Sequence, residues 1–220
     1  MDDDGTLMRM NNWMKCAALG LTALGLVAVG CGQQTQQGEK TYKVGIVQLV
    51  EHSSLDDANR GFVDGLKERG YEEGKNLTID RQNAQADQSN LQNIVQRFIS
   101  DKVDLICAIA TPAVQSAANA TKDIPIVGTA VTDYVSAKVV ASNDAPGGNV
   151  TGTSDLAPIA EQIDLLMQLY PNAKTIGTIY SSSEINSEIQ VKAMTEYAQS
   201  KGLTVRTATI STVNDIQQAA

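Results

Sequence analysis

The sequence predicts an α/β fold built from doubly wound parallel sheets, and three observations carry that reading. Val103–Ala110 is almost uninterrupted apolar, with Asp104 the one polar interruption. A strand that is apolar on both sides is buried on both sides, as between two helix layers. Strand patterns then alternate with amphipathic helix patterns from Lys43 onward, the order of right-handed parallel crossovers. The composition is also globular: 220 residues, 42% hydrophobic and 4% aromatic, with enough apolar content to bury a core.

Taken in order, Lys43–Leu49 reads as the first strand, and its polar end, Gln48 to Ser54, holds the single histidine, His52. Ser53 or Ser54 is expected to cap the following helix, with Asp56 and Asp57 favourable in its first turn. Ala58, Phe62 and Leu66 recur every four residues, and Gly70 ends that helix. Leu77–Asn83 is the second strand. Leu91, Ile94, Val95, Phe98 and Ile99 form the apolar stripe of the second helix. After Val103–Ala110, Thr111 is expected as N-cap and Pro112 as the first helical residue, because its missing N–H would be unpaired there. Asp123–Thr129 is the fourth strand, with Asp133 beyond its carboxyl end. Asp144–Asn149 is a Gly- and Pro-containing loop, and Val150–Asp155 a short strand or crossover.

Ile159, Ile163, Leu166, Met167 and Tyr170 mark the next helix, stopped by Pro171. Lys174–Tyr180 is a strand and Ser181–Asn186 a polar turn. Ser187-x-x-Gln190 is expected to form a capping box ahead of a helix lined by Ile189, Ala193 and Tyr197. Leu203–Ala208 is a strand, and a helix begins within Thr212–Ala220. Residues 42–154 thus read as a first α/β lobe and 155–220 as a partial second one. A half-built second lobe with open strand edges is expected to be mobile or prone to association.

The N-terminal residues 1–30 read as a signal peptide. Arg9 and Lys15 precede an apolar run, Cys16–Val29, that is short for a membrane span. The acidic start at Asp2–Asp4 is unusual for a signal, so Met8, Met10 or Met14 is an alternative start. Small residues before Cys31, followed by a polar stretch, resemble a bacterial lipobox, with Ala28 where Leu is commoner. That resemblance implies cleavage before Cys31, lipidation of its sulfur, and residues 31–41 as a tether to the extracytoplasmic face of the cell membrane.

Several function classes are disfavoured. The formal net charge of −8 argues against a nucleic-acid surface, which needs a basic stripe. No Gly-x-Gly-x-x-Gly follows Val44, and Gly74-Lys75 lacks the upstream glycine of a phosphate loop, since Arg69 stands there. No Gly-x-Ser-x-Gly elbow is present, and one histidine without clustered cysteines argues against zinc. Cys107 lies in the apolar strand as a small core residue, and no disulfide framework is implied. No catalytic residue, metal or cofactor is therefore expected.

Seven short motifs occur in a set order: Val44-Gly-Ile-Val-Gln48 with Glu51-His52, Gly74-Lys-Asn76, Ala110-Thr-Pro-Ala113, Asp123-Ile-Pro-Ile-Val127, Val131-Thr-Asp133, Gly147-Gly-Asn-Val-Thr-Gly152 and Ser183-Glu-Ile-Asn-Ser187. Together they resemble the ABC-importer substrate-binding lipoproteins of the tryptophan/tyrosine type, across residues 42–220. The resemblance implies two lobes of periplasmic-binding-protein type, class I like, closing on a small molecule. It implies a non-enzyme that delivers a ligand, most simply an aromatic amino acid, to an ABC permease in the membrane.

Carried over by position, the ligand would meet Gln48, His52, Thr111, Ala113, Thr132 and Asp133 in the first lobe, and Ser182, Ser183, Glu184, Asn186 and Ser187 in the second. Helix N-termini near Pro112 and Ser187 suit a carboxylate, and Asp133 or Glu184 suits an ammonium. Tyr134 and Tyr180 are placed to stack on an aromatic ring. Tyr134 replaces the proline usual after Thr-Asp in that family, and the chain stops before the second lobe is complete. The alternatives are a Rossmann-like enzyme or a ligand-sensing domain of the same fold.

Overall fold

A computed structural model describes residues 40–220 of the chain; the signal, Cys31 and most of the tether lie outside the described residues. Strands β1 (Tyr42–Gln48), β2 (Leu77–Asn83), β3 (Leu105–Ile109), β4 (Ile126–Val131) and β5 (Val150–Ser154) alternate with helices α1 (Ser53–Glu68), α2 (Gln88–Ser100) and α3 (Thr111–Ala120). The five strands make one parallel sheet in the order β2-β1-β3-β4-β5. Val150 opens a true strand, in register with Ile126 of β4.

Strand β3 shows why the sheet is doubly wound. Successive side chains point to opposite faces, and both sets are apolar. Ile106 and Ala108 pack with Leu91, Val95 and Phe98 of α2 and Val114 and Ala117 of α3. Cys107 and Ile109 pack with Val44, Ile46 and Ile79 against Leu55, Ala58, Phe62 and Leu66 of α1. Phe98, Leu91, Ile106 and Ile126 are completely buried, each worth roughly 1.5–3 kcal/mol relative to exposure. On the other side no residue of α1 is fully buried, so that layer is the thinner one.

After β5 the chain passes to α4 (Ile159–Leu169), β6 (Thr175–Ser181), α5 (Ile185–Ser200) and β7 (Thr204–Ile210), ending in a short 3-10 turn and α6 (Ile216–Ala219). Here β6 and β7 form a separate two-stranded parallel sheet. Its core is small: Ile163, Ala198 and Leu203 are buried, with Ile176, Met194, Tyr197 and Val205 packed around them. Leu165, Leu169, Tyr170 and Ile179 stay exposed beside it.

Three expected helix starts are corrected. His52, not Ser53 or Ser54, caps α1: its Nδ1 accepts the Ser54 N–H at 3.3 Å. Thr111 is already the first residue of α3, and Ala110 occupies the cap at φ +85°, ψ 154° with no side-chain cap bond. The Ser187–Gln190 capping box does not form, because α5 begins three residues earlier, with Glu184 at the cap. Gly70 does end α1, with φ +85° at the turn where only glycine is free of strain.

Candidate ligand-binding cleft

In the five-stranded sheet the order reverses at β1, because β2 lies on one side of it and β3 on the other. That reversal opens a crevice at the carboxyl ends of the strands, where open α/β sheets take ligands. The segments arriving there are Gln48–His52 after β1, Ala110–Ala113 after β3 and Thr132–Asp133 after β4.

Gln48 is 4% exposed and its amide is fully engaged within the first lobe. Its Nε2 donates to the Val50 carbonyl at 2.9 Å and to Asp56 Oδ1 at 2.6 Å, while its Oε1 accepts from Asn59 Nδ2 at 3.1 Å. It lashes the end of β1 to α1. His52 is exposed and serves as the α1 cap.

At the next strand, Ala110 sits in a backbone region that side-chain-bearing residues rarely enter. Its carbonyl accepts the N–H groups of Ala113 at 3.1 Å and Val114 at 3.2 Å. Strain of this kind costs on the order of 1–3 kcal/mol and is held only by surrounding packing. It turns the chain straight from β3 into α3 and presents the helix N-terminus to the crevice. Thr111 and Ala113 are both buried there. A second distortion ends β4, where the pairing with β5 shifts register between Gly128 and Val131 and Ala130 has φ +54°.

Asp133 closes the turn that follows β4. Its Oδ1 accepts the Ser136 N–H at 2.6 Å. The Ser136 side chain and backbone together hold this carboxyl below the usual aspartate range. Tyr134 does not reach the crevice, which corrects the stacking role expected from the sequence. It is 6% exposed and belongs to the core on the α2–α3 side, and its Oη donates to the Thr153 carbonyl at 3.1 Å. Gly128 and Gly152 make room for it: a Cβ at either position would collide with that hydroxyl. Burial pushes the Tyr134 phenol up to about 12.

From the second lobe come Tyr180, half-buried near the end of β6, and Ser182 and Ser183, both exposed. Ser183 shares a 2.9 Å hydroxyl contact with Ser181. Glu184 accepts from Asn186 Nδ2 at 3.3 Å through Oε2. Asn186 Oδ1 is buried without a hydrogen-bond partner, an acceptor left open at the head of α5. Ser187 is half-buried in the first turn of α5, its N–H bonded to the Glu184 carbonyl at 3.0 Å.

A residue the sequence reading placed elsewhere joins the two lobes. Gln190 Nε2 donates to Thr132 Oγ1 at 3.5 Å and to the Asn186 carbonyl at 3.4 Å. Its spacing held the signal: Gln190 lies four residues after Asn186 and therefore on the same face of the helix. Thr132 is 6% exposed, and its carbonyl accepts from Ser154 Oγ at 2.7 Å. The second lobe's polar segment therefore stands over the end of β4.

The assembled groups are hydroxyls, amides, two helix N-termini and two carboxylates. Helix N-termini offer unpaired N–H groups and a positive dipole end to an anion. Among the described residues no group of His, Cys, Asp and Glu is placed to hold a metal ion. The Cys107 thiol, buried in β3, is raised to about 12 by desolvation, so it stays protonated and unreactive. A separate pocket of about 550 Å³ lies between the end of α4 and β6, lined by Leu169, Tyr170 and Pro171 among others.

Comparison with known proteins gives a consistent picture. The family described as "ABC transporter substrate binding protein" matches residues 43–220. A tyrosine-binding protein of Clostridioides difficile (strain R20291) is 51% identical over 181 residues, which is 82% of this chain and 52% of that protein. The ABC domain from Streptococcus pneumonia in complex with L-Trp is 43% identical, with a TM-score of 0.79 over 82% of this chain and 61% of that one. A ligand-free, open structure of a substrate binding protein with adhesive properties from Clostridium difficile is 49% identical, with a TM-score of 0.63 over 81% of this chain and 60% of that one. The chain thus spans about half the length of the curated relative and about three fifths of the solved structures. The TM-score is higher against the L-Trp complex than against the open structure, although the open structure has the higher identity.

Proposed function

Because this chain belongs to the family of ABC transporter substrate-binding proteins, we propose that it captures an aromatic amino acid, tyrosine or tryptophan, and presents it to an ABC permease. The observation that supports this reading is the Gln190–Thr132 contact, which ties the second lobe's α5 to the segment after β4 at the carboxyl end of the first sheet. The first turns of α3 and α5 then belong to the two walls of one enclosure. An amino-acid carboxylate suits N–H groups of that kind. Its ammonium suits Glu184 and the open Asn186 Oδ1. The half-buried ring of Tyr180 offers an apolar face to the side chain. Thr111, Ala113, Thr132, Ser182, Ser183 and Ser187 would line the enclosure, with Asp133, Gln48 and His52 supporting its walls. The 51% identity to a tyrosine-binding protein supports the aromatic class.

The tyrosine and tryptophan reading is tested by calorimetry of the 220-residue chain with the twenty amino acids. Heat with L-Tyr or L-Trp, and none with Gly or Asp, is expected. Heat only with aliphatic or acidic amino acids would overturn the aromatic assignment.

We propose further that Cys31 carries the lipid and holds the protein on the extracytoplasmic face. The order of charge, apolar run, small residues and cysteine at residues 9–31 supports it. Cys31→Ala is expected to yield an unlipidated precursor or a soluble product. A lipid-labelled, membrane-bound Cys31→Ala protein would sink the idea.

A further inference from the structure

We propose that Gln190 is a positioning residue for lobe closure: its amide ties the head of α5 to Thr132 and so sets how readily the two lobes come together over the cleft. The inference rests on the binding function proposed above and names the contact that governs it. A carboxamide –NH₂ carries two donor hydrogens. Both are placed here, one toward Thr132 Oγ1 and one toward the Asn186 carbonyl, at 3.5 and 3.4 Å. The second contact fixes the side chain along its own helix. The first spans 58 residues of sequence and joins two separate sheets.

Thr132 is well placed to receive it. The Ser154 hydroxyl donates to its carbonyl at 2.7 Å, and the same Ser154 oxygen accepts the Leu156 N–H at 3.2 Å. The Asp155 N–H donates to the Val131 carbonyl at 3.0 Å. Thr132 is therefore pinned to the root of the crossover where the chain leaves the first lobe. A hydrogen bond beside the pivot constrains the angle between lobes while leaving their faces free for a ligand.

The chain that carries this contact has a TM-score of 0.79 against the L-Trp complex and 0.63 against the ligand-free, open relative. A contact made in one arrangement and lost in the other shifts the population toward the arrangement that has it. Both distances are long for such bonds, so the bias is modest, roughly two- to tenfold in population.

The test uses the 220-residue chain with nitroxide labels on a ketone-bearing amino acid at Glu68 in α1 and Gln199 in α5, both exposed. Inter-label distances are measured by pulsed electron resonance, and affinity for L-Tyr by calorimetry. Gln190→Ala and Thr132→Val are each expected to shift the population without amino acid roughly two- to tenfold toward longer separations. Affinity should weaken by a similar factor. The double variant should shift no further than either single one, and Thr132→Ser, which keeps the hydroxyl, should give the parent's inter-label distances. Unchanged distances in both single variants, or additive shifts, overturn the proposal. If no variant binds any aromatic amino acid, the binding function fails, while the distances still decide the role of Gln190.

Discussion

The ring of Phe98 fills the space that a side chain at position 45 would need. A Cβ on Gly45 would lie 2.6 Å from the Phe98 Cγ and Cδ2, and Phe98 is completely buried. Strand β1 and helix α2 therefore pack at a distance set by a hydrogen atom. Gly45→Ala should cost about 1–3 kcal/mol through overpacking, and Phe98→Ala about 3–5 kcal/mol through the cavity it leaves. Because the added methyl enters the space the ring vacates, the double variant should be less destabilised than the sum. Urea unfolding of the four proteins measures this, and strict additivity would contradict it.

Ala110 holds a backbone conformation that suits glycine. Ala110→Gly should stabilise the chain by about 1 kcal/mol, the lower end of the strain released. Ala110→Val should destabilise it, since a β-branched residue at φ +85° is more crowded still. Thermal unfolding gives the order Gly above Ala above Val. A lower melting temperature for the glycine variant would show that the turn is not strained.

Gln48 joins Val50, Asp56 and Asn59. Gln48→Ala leaves these groups without their shared partner and should cost about 1–3 kcal/mol. The loss should appear in unfolding without any ligand present. An unchanged melting temperature with weakened L-Tyr binding would instead return Gln48 to direct ligand contact.

Asp133 gives a pH-dependent prediction. Its folded-state value is depressed, chiefly by the Ser136 side-chain hydrogen bond, below its unfolded value of about 3.9. A depressed carboxyl contributes stability above the unfolded value and loses it as pH falls through the folded one. Asp133→Asn should therefore be less stable than the parent at pH 7, with the gap narrowing below pH about 4. Parallel denaturation series across that range test it, and a gap that stays constant would sink it.

Much of the fold was legible in the sequence because its signals are local. Leu77–Asn83 matches the strand to the residue, since a turn precedes it and the buried Leu77 and Ile79 alternate with polar neighbours. The doubly wound class followed from Ile106–Ile109, apolar on both faces. The helix starts at His52, Ala110 and Glu184 escape the sequence because none of the three is a preferred cap residue. Tyr134 was misplaced because only the folded sheet reveals the gap that Gly128 and Gly152 leave beneath it. For Gln190 the spacing from Asn186 marks the helix face it shares, but not its partner Thr132, which is 58 residues away and beyond any local periodicity.

The described chain passes from the first sheet to the second only once, between Ser154 and Ile159, and this bears on the order of assembly. Every strand and helix of the five-stranded unit has been synthesised by Ser154. At 5–20 residues per second, the 36 residues from Ser154 to Gln190 take about 2–7 s to be added. Mixed α/β domains commonly fold faster than that. The slow step inside the first unit is the meeting of β1 with β3, whose partners Val44 and Leu105 must find each other across two intervening helices. The five-stranded unit is thus expected to stand as a template, with Thr132 already in place, before Gln190 arrives to meet it.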